Sequence, residues 1–350
     1  MNRILSPLLA VALGLIAGPG AASAASFDCA KAATPFEEAI CADPDLSLAD
    51  ERLAKTYATA SGGLSEQALS QLRASQRDWL DYARRACTRN AEALTSGAYD
   101  ERGLYCLNDL FNSRSRVLET SRMIDGMRVY PDARYTALPD PYEAENPDSN
   151  WPVAQHELAV VQIDDEAGFA REFNALVTAE GQAISGGFGE EGGPESVEND
   201  SSSDSTNTIT LKDVSGNRLS LEVNTYWYGH GAAHGNYTIT YRHFVKDETR
   251  WLEAKDVFAG KGWQKKLLDM VLTAAKAEHG DALWLDSPDD LLEVVTDPDR
   301  WVLSDPYGLV VQFQPYEISA YAYGAPTARV SWEALAPILA DTADRYRFGY

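Results

Sequence analysis

Four cysteines, Cys29, Cys41, Cys87 and Cys106, all fall in the first third of the chain and have no further cysteine to pair with. An even cysteine set in an exported chain reads as a disulfide framework, and disulfides persist only in oxidising compartments. Residues 1–24 supply the export signal. Arg3 is followed by an apolar run over 4–17 and by the small residues Ala22, Ser23 and Ala24, the pattern of a cleavable signal peptide. Cleavage is expected before Ala25. The apolar run is broken by Ser6 and Pro7, and it is shorter than the roughly twenty residues that cross a bilayer. The expectation is a periplasmic or secreted protein without a membrane span. Four cysteines allow three connectivities and sequence alone does not choose among them; local closure favours Cys29–Cys41 and Cys87–Cys106. No histidine lies in this region, and the cysteine spacings match no zinc pattern, so no metal is expected there.

Residues 25–128 read as helical. Thr34 is placed to cap a helix that begins at Pro35, with Glu37 and Glu38 in its first turn. Leu46, Leu48, Leu53 and Tyr57 recur at near-helical spacing until Gly62 and Gly63 interrupt. A long helix is expected over 64–86, with Leu69, Leu72, Trp79, Leu80 and Tyr82 on its apolar side. Another begins near Asp100 and carries Leu104, Leu107, Leu110, Phe111 and Leu118. This predicts a small disulfide-stapled all-α domain.

Charge separates this region from the rest. The formal charge is −23, yet residues 27–128 hold 16 acids and 13 bases while residues 129–350 hold 37 acids and 16 bases. Such an acidic second half repels nucleic acid and attracts cationic partners. Residues 129–154 are rich in Pro, Asp and Asn and read as a linker or lead-in. Residues 155–350 alternate strand and helix patterns. Strands are expected over 156–163, 208–211, 219–228 and 238–245, helices over 166–180 and 263–276, and a hairpin joins 301–303 to 309–313. These form an α+β domain around a mainly antiparallel sheet. Residues 181–207, poor in apolar side chains, read as a mobile acidic loop. The whole is a multidomain chain.

His230 and His234 sit in the glycine-rich run from Tyr226 to Gly235. Their spacing of four suits zinc only on a helix, and three glycines oppose a helix. A catalytic histidine needs a nucleophile within reach; no cysteine is free if the disulfides form, and no G-x-S-x-G elbow is present. A wide structural turn is the favoured reading, and no catalytic, cofactor or metal residue is assigned. Candidate partner-binding residues are Tyr316, Glu317, Tyr321 and Tyr323, with His230 and His234.

The runs FDCAKAATPFEEAICADPDLSLADERLAKTYATA, LRASQRDWLDYARRAC and YCLNDLFNSRSRVLE, within about residues 26–122 and holding all four cysteines, resemble the LprI-type lysozyme inhibitor-like domain. The runs LSLEVNTYWYGHGAAHGNYTITYRHF, WLEAKDVFAG and GLVVQFQPYEISAYAYGAP, within about 155–340, resemble the C-terminal extracellular domain of RsiV-type anti-sigma factors, a branch that binds lysozyme. The two resemblances imply a non-enzymatic protein that binds a cationic lysozyme and inhibits it by occlusion. The alternative they leave is an envelope module whose partner is peptidoglycan. A hydrolase using His234 is the least favoured reading. No cofactor is implied.

Overall fold

The computed structural model describes residues 25–143, 145–165, 168–185, 200–285 and 287–348. The segment expected as a signal peptide, residues 1–24, lies outside the described residues. Four helices come first: α1 (Pro35–Ala42), α2 (Pro44–Ser61), α3 (Glu66–Ala86) and α4 (Glu101–Glu119). Thr34 Oγ1 accepts from the Glu37 amide at 3.2 Å, and the Glu37 carboxylate accepts from the Thr34 amide at 3.1 Å, a reciprocal cap that starts α1. Asp43 closes α1 and caps α2 by accepting from the Leu46 amide at 2.8 Å. Phe36, Ile40, Leu46, Leu53, Leu72, Trp79, Leu107 and Phe111 form the core, with Trp79 set edge-on to Phe111 at 5.0 Å between ring centroids.

Cys29 pairs with Cys41 and Cys87 with Cys106. The second bond joins the end of α3 to α4 and closes a separation of 19 residues. Replacing both Cys87 and Cys106 by serine is expected to cost about 3 kcal/mol in the chain-entropy account. Urea unfolding followed by helical circular dichroism measures this. An unchanged midpoint would mean that helix packing alone fixes the connection over 88–100.

The main sheet contains β1 (Arg122–Ile124), β2 (Met127–Pro139) and β3 (Val153–Ile163), then β4 (Ser203–Ser215), β5 (Arg218–Gly229), β6 (Asn236–Val245) and β7 (Arg250–Trp251), in that spatial order. Helix α5 (Gly168–Ser185) lies between β3 and β4 in the chain. Every neighbouring pair is antiparallel except β3–β4, because α5 carries the chain back across the sheet as parallel pairing requires. Side chains alternate between faces. On one face Leu158, Val160, Ile209, Leu211, Leu221 and Val223 pack under Phe173 and Val177 of α5. On the other, Tyr135 and Ala137 of β2 join the helical core, so the two halves share apolar packing.

Then follow α6 (Ala254–Val257), α7 (Trp263–His279), α8 (Leu292–Thr296), β8 (Trp301–Val302), β9 (Gly308–Gln312), β10 (Thr327–Ser331), α9 (Trp332–Leu335) and α10 (Ala343–Arg347). Strands β10, β9 and β8 make a second antiparallel sheet. Its core holds Leu267, Leu268, Val271, Trp301, Val311, Phe313 and Leu335. The Gln314 side chain bonds both the amide and the carbonyl of Ile239, at 2.8 and 2.6 Å, and so serves the edge of β6 as a strand would.

The fold is a helical region with two disulfides followed by an α+β region with a mainly antiparallel sheet. Two local expectations fail. Residues 129–139, read as the start of a linker, belong to β2, which pairs with β3 along its length. Beyond Val129 its outer edge has no strand partner among the described residues, and an edge strand tolerates Pro131 and Pro139. The loop expected over 181–207 is shorter at both ends: α5 runs to Ser185 and β4 starts at Ser203. Residues 186–199 of that loop lie outside the described residues. Gly181, which reads as a breaker, lies inside α5 where a Cβ would come within 2.7 Å of Val160 Cγ1. It lets the helix approach β3.

Candidate functional site

The end of the β5–β6 hairpin gathers three of the six predicted partner-binding residues, His234, Tyr316 and Tyr321, with other aromatics. The run from His230 to Gly235 is a turn, as the glycines imply. His234 stacks on Tyr321 at 4.0 Å between centroids, and Tyr316 lies 5.3 Å from Tyr321. His234 Nδ1 donates to Gly235 O at 2.9 Å, which leaves Nε2 to accept from the Tyr316 hydroxyl at 3.3 Å. Tyr321 donates to the same Gly235 carbonyl at 2.6 Å. Tyr226 covers Gly235 so closely that a Cβ there would stand 2.5 Å from its hydroxyl oxygen. Tyr323 donates to His279 Nδ1 at 2.9 Å, since His279 Nε2 is used on Thr327 O. Tyr226, Tyr316 and Tyr323 are 41, 53 and 47% exposed. Tyr316 holds φ at +69°, a left-handed backbone that a bulky side chain adopts only when its surroundings impose it. The result is a ledge of tyrosines held from beneath by histidines and carbonyls.

Two predicted residues do not face outward. Both Glu317 oxygens accept from Arg300, at 3.1 and 2.6 Å, and Oε2 also accepts from the Gln314 amide at 2.7 Å. Glu317 therefore shapes the loop that presents Tyr316. The buried His230 side chain lies between Asp140 (Nδ1 to Oδ2, 2.6 Å) and Asp204 (Nε2 to Oδ1, 3.3 Å). Burial lowers its pKa, but the carboxylates of Asp204 and Asp140 outweigh that and hold it above the ordinary histidine value. Asp140 also accepts from the Tyr142 and Glu143 amides, so His230 clasps the 140–152 loop to the hairpin. His234 is oriented by a backbone carbonyl, without the carboxylate that usually orients a catalytic base. Among the described residues no three His, Cys, Asp or Glu side chains gather as a metal site, and no helix is long and apolar enough to cross a membrane.

A second surface lies on the helices. Between α2 and α4 opens a groove of 610 Å³. Leu48 and Tyr105 stand in it 56 and 71% exposed, with Asp43, Asp45 and Glu101 on its rim. Arg52 also lines it, tied to Glu119 at 2.8 Å and Asn112 at 3.3 Å. Sequence reasoning placed Leu48 in the apolar repeat of α2. It falls two positions from Leu46, and residues two apart on a helix face different ways. That offset was the available signal.

A family model described as "Lysozyme inhibitor LprI" matches residues 29–118. A second, described as "Protein of unknown function (DUF3298)", matches residues 255–333; it names that broad family and not the RsiV branch. Among solved structures the chain is similar to a DUF3298 family protein from Pseudomonas aeruginosa PAO1, at 13% identity and a TM-score of 0.44. It is also similar to a DUF3298 family member from Bacteroides fragilis NCTC 9343, at 14% identity and a TM-score of 0.47. Each match covers 64% of this chain and 98% of the other. No curated protein matches. The chain thus carries an LprI lysozyme inhibitor domain at its N-terminus and a DUF3298 domain at its C-terminus.

Proposed function

We propose that this protein, exported by its N-terminal signal, binds a cationic lysozyme outside the cytoplasm and inhibits it by occlusion, without chemistry of its own. The observation that carries this reading is the α2–α4 groove, which lies within the LprI-matched segment and presents an apolar pair inside an acidic rim. Exposed aromatic side chains supply binding energy, and surrounding acids steer a basic partner. The strongly acidic second half adds to that steering. The tyrosine ledge of Tyr316, Tyr321 and Tyr323 with His234 is the second contact, in keeping with the resemblance to the lysozyme-binding RsiV branch.

The test is calorimetric titration of residues 25–350, oxidised, with a cationic animal-type lysozyme, paired with a cell-wall lysis assay. Leu48→Ala with Tyr105→Ala is expected to weaken binding by about 30-fold or more, as for removal of one hot spot worth 2 kcal/mol. Tyr316→Ala should weaken it less. Affinity should fall as salt rises to about 0.3 M, where the Debye length drops below about 6 Å. Full lysis in the presence of excess protein sinks the inhibitor reading. One observation favours peptidoglycan instead: Thr206, Thr208, Thr210 and Asn224 leave a half-exposed polar face on β4 and β5, suited to glycan hydroxyls. Sedimentation with purified peptidoglycan in the absence of lysozyme would give that reading the lead.

A further inference from the structure

A cavity of 270 Å³ opens where α4 overhangs the main sheet. Ser113, Arg116 and Val117 of α4 form one wall, and Thr206, Thr208 and Thr210 of β4 form the other. Ala159 and Glu157 of β3 line the floor; two positions apart on a strand, their side chains share a face. Glu157 Oε1 accepts from the Tyr82 hydroxyl at 3.1 Å, and Oε2 lies 3.5 Å from Ser113 Oγ. Among the described residues no cation reaches ion-pair distance of this carboxylate. The nearby Arg114 spends its guanidinium on Gln76, Tyr135 and Ser75. Burial pushes the Glu157 carboxyl above its ordinary value, against the hydrogen bonds from Tyr82 and Ser113 and the charges of Arg114 and Arg116. A buried carboxylate without a contacting cation is costly, and a charge-assisted partner relieves that cost.

We propose that this cleft receives an arginine side chain of the partner protein, with the guanidinium on Glu157 and the stem against Val117 and Ala159. Arginine fits both halves of the site, since its methylenes pack on apolar walls while its planar fork matches a carboxylate. The threonine hydroxyls of β4 accept its remaining donors. The identity of the partner rests on the lysozyme reading; the chemistry of the cleft does not. The cleft joins the helical region to the sheet, so a guanidinium seated there makes the partner touch both halves.

The probe is n-butylguanidinium, titrated into the oxidised protein with methyl and amide NMR shifts as the readout. Saturable shifts centred on Val117, Ala159 and Thr208 are expected. Two variants should each weaken binding by about tenfold or more, the first by loss of a charge-assisted hydrogen bond and the second by steric exclusion. Glu157→Gln removes the charge yet can still accept from Tyr82, and Ala159→Leu fills the floor. A probe that gives no cleft-centred shifts, or binds Glu157→Gln as well as the parent, overturns the proposal. So does a probe that binds only Arg116→Ala, because Arg116 then folds inward and occupies the site itself. Lysozyme is titrated separately into the parent protein and into Glu157→Gln. If lysozyme binds neither while the probe binds the parent, the lysozyme reading fails and the cleft stands. If lysozyme binds the parent but the probe does not, the cleft fails alone.

Discussion

Arg114→Ala is expected to destabilise the whole protein by about 3–5 kcal/mol, the range for removing one member of a buried polar cluster and leaving a cavity. Arg114 is 1% exposed at the junction of α4, α3 and β2. Its Nε donates to Gln76 at 3.0 Å, Nη1 to the Tyr135 hydroxyl at 2.9 Å and Nη2 to Ser75 Oγ at 3.2 Å. Its guanidinium carbon lies 5.5 Å from the Tyr135 ring centroid, within cation–π range. Ser75 passes the link on by donating to Ala133 O at 3.1 Å in β2. Ser75 would keep its bond to Ala133 O, but alanine would take the donor from Gln76 Oε1 and the Tyr135 hydroxyl. It would also remove a positive charge that helps Glu157 stay ionised. Because the cluster spans both halves, the far-UV helical signal and the tryptophan fluorescence should move together in urea. Arg114→Met restores volume without the donors, and about half of the loss should return. A midpoint shift worth less than about 1 kcal/mol for Arg114→Ala would show that the helical region does not depend on the sheet through this residue.

The helical third was legible because its signals are local. The Thr34–Glu37 box, Pro35 and the Asp100 cap act within a few residues and the disulfides close separations of 12 and 19, so the sequence displays them directly. The hairpins that join the strands over 208–211 and 219–228, and 301–303 and 309–313, were legible for the same reason. What failed depends on distant neighbours. Pro131 reads as a linker residue until β1 is seen to end before it, and Gly181 reads as a breaker until Val160 is seen beneath it. The site shows the same division. The glycine-rich turn and the proline-tyrosine loop were each visible as local features, whereas the stacking of His234 on Tyr321 is a tertiary contact that neither segment displays alone. The role of Glu317 was hidden since nothing in the local pattern marks Arg300, 17 residues earlier, as its ion-pair partner. Glu157 was hidden because one acid in an alternating strand looks like a solvent-facing position until α4 covers it.

Between pH 7 and about pH 4 the protein is expected to lose about 3 kcal/mol of stability through His243 alone. This histidine is buried on β6 beneath the second sheet, where Nε2 donates to Trp301 O at 2.8 Å and Nδ1 accepts from Ser220 Oγ at 2.9 Å. Both nitrogens are satisfied in the neutral ring, and a second proton on Nδ1 would force the Ser220 hydroxyl to turn from donor to acceptor. Burial, then the charge of Arg218, push its pKa down to about 3, with Arg242 adding to the push and the Trp301 carbonyl opposing it. The unfolded chain takes up that proton near the ordinary value of about 6.5. In the window between the two values the unfolded state binds more protons, so stability falls as pH falls, and the loss is complete near the folded value. His230 has the opposite sign: its raised pKa adds stability that is full below about 6.5 and fades as pH rises through the folded value. The two histidines therefore act on different sides of the ordinary histidine value. His243→Gln keeps a donor and an acceptor in place but cannot be charged. Urea unfolding of parent and variant at pH 7 and about pH 4 isolates the effect from the carboxylates, which titrate in both. The gap between the two proteins should shift by about 3 kcal/mol in favour of the variant on acidification. A constant gap would mean that the buried ring finds an acceptor for its second proton.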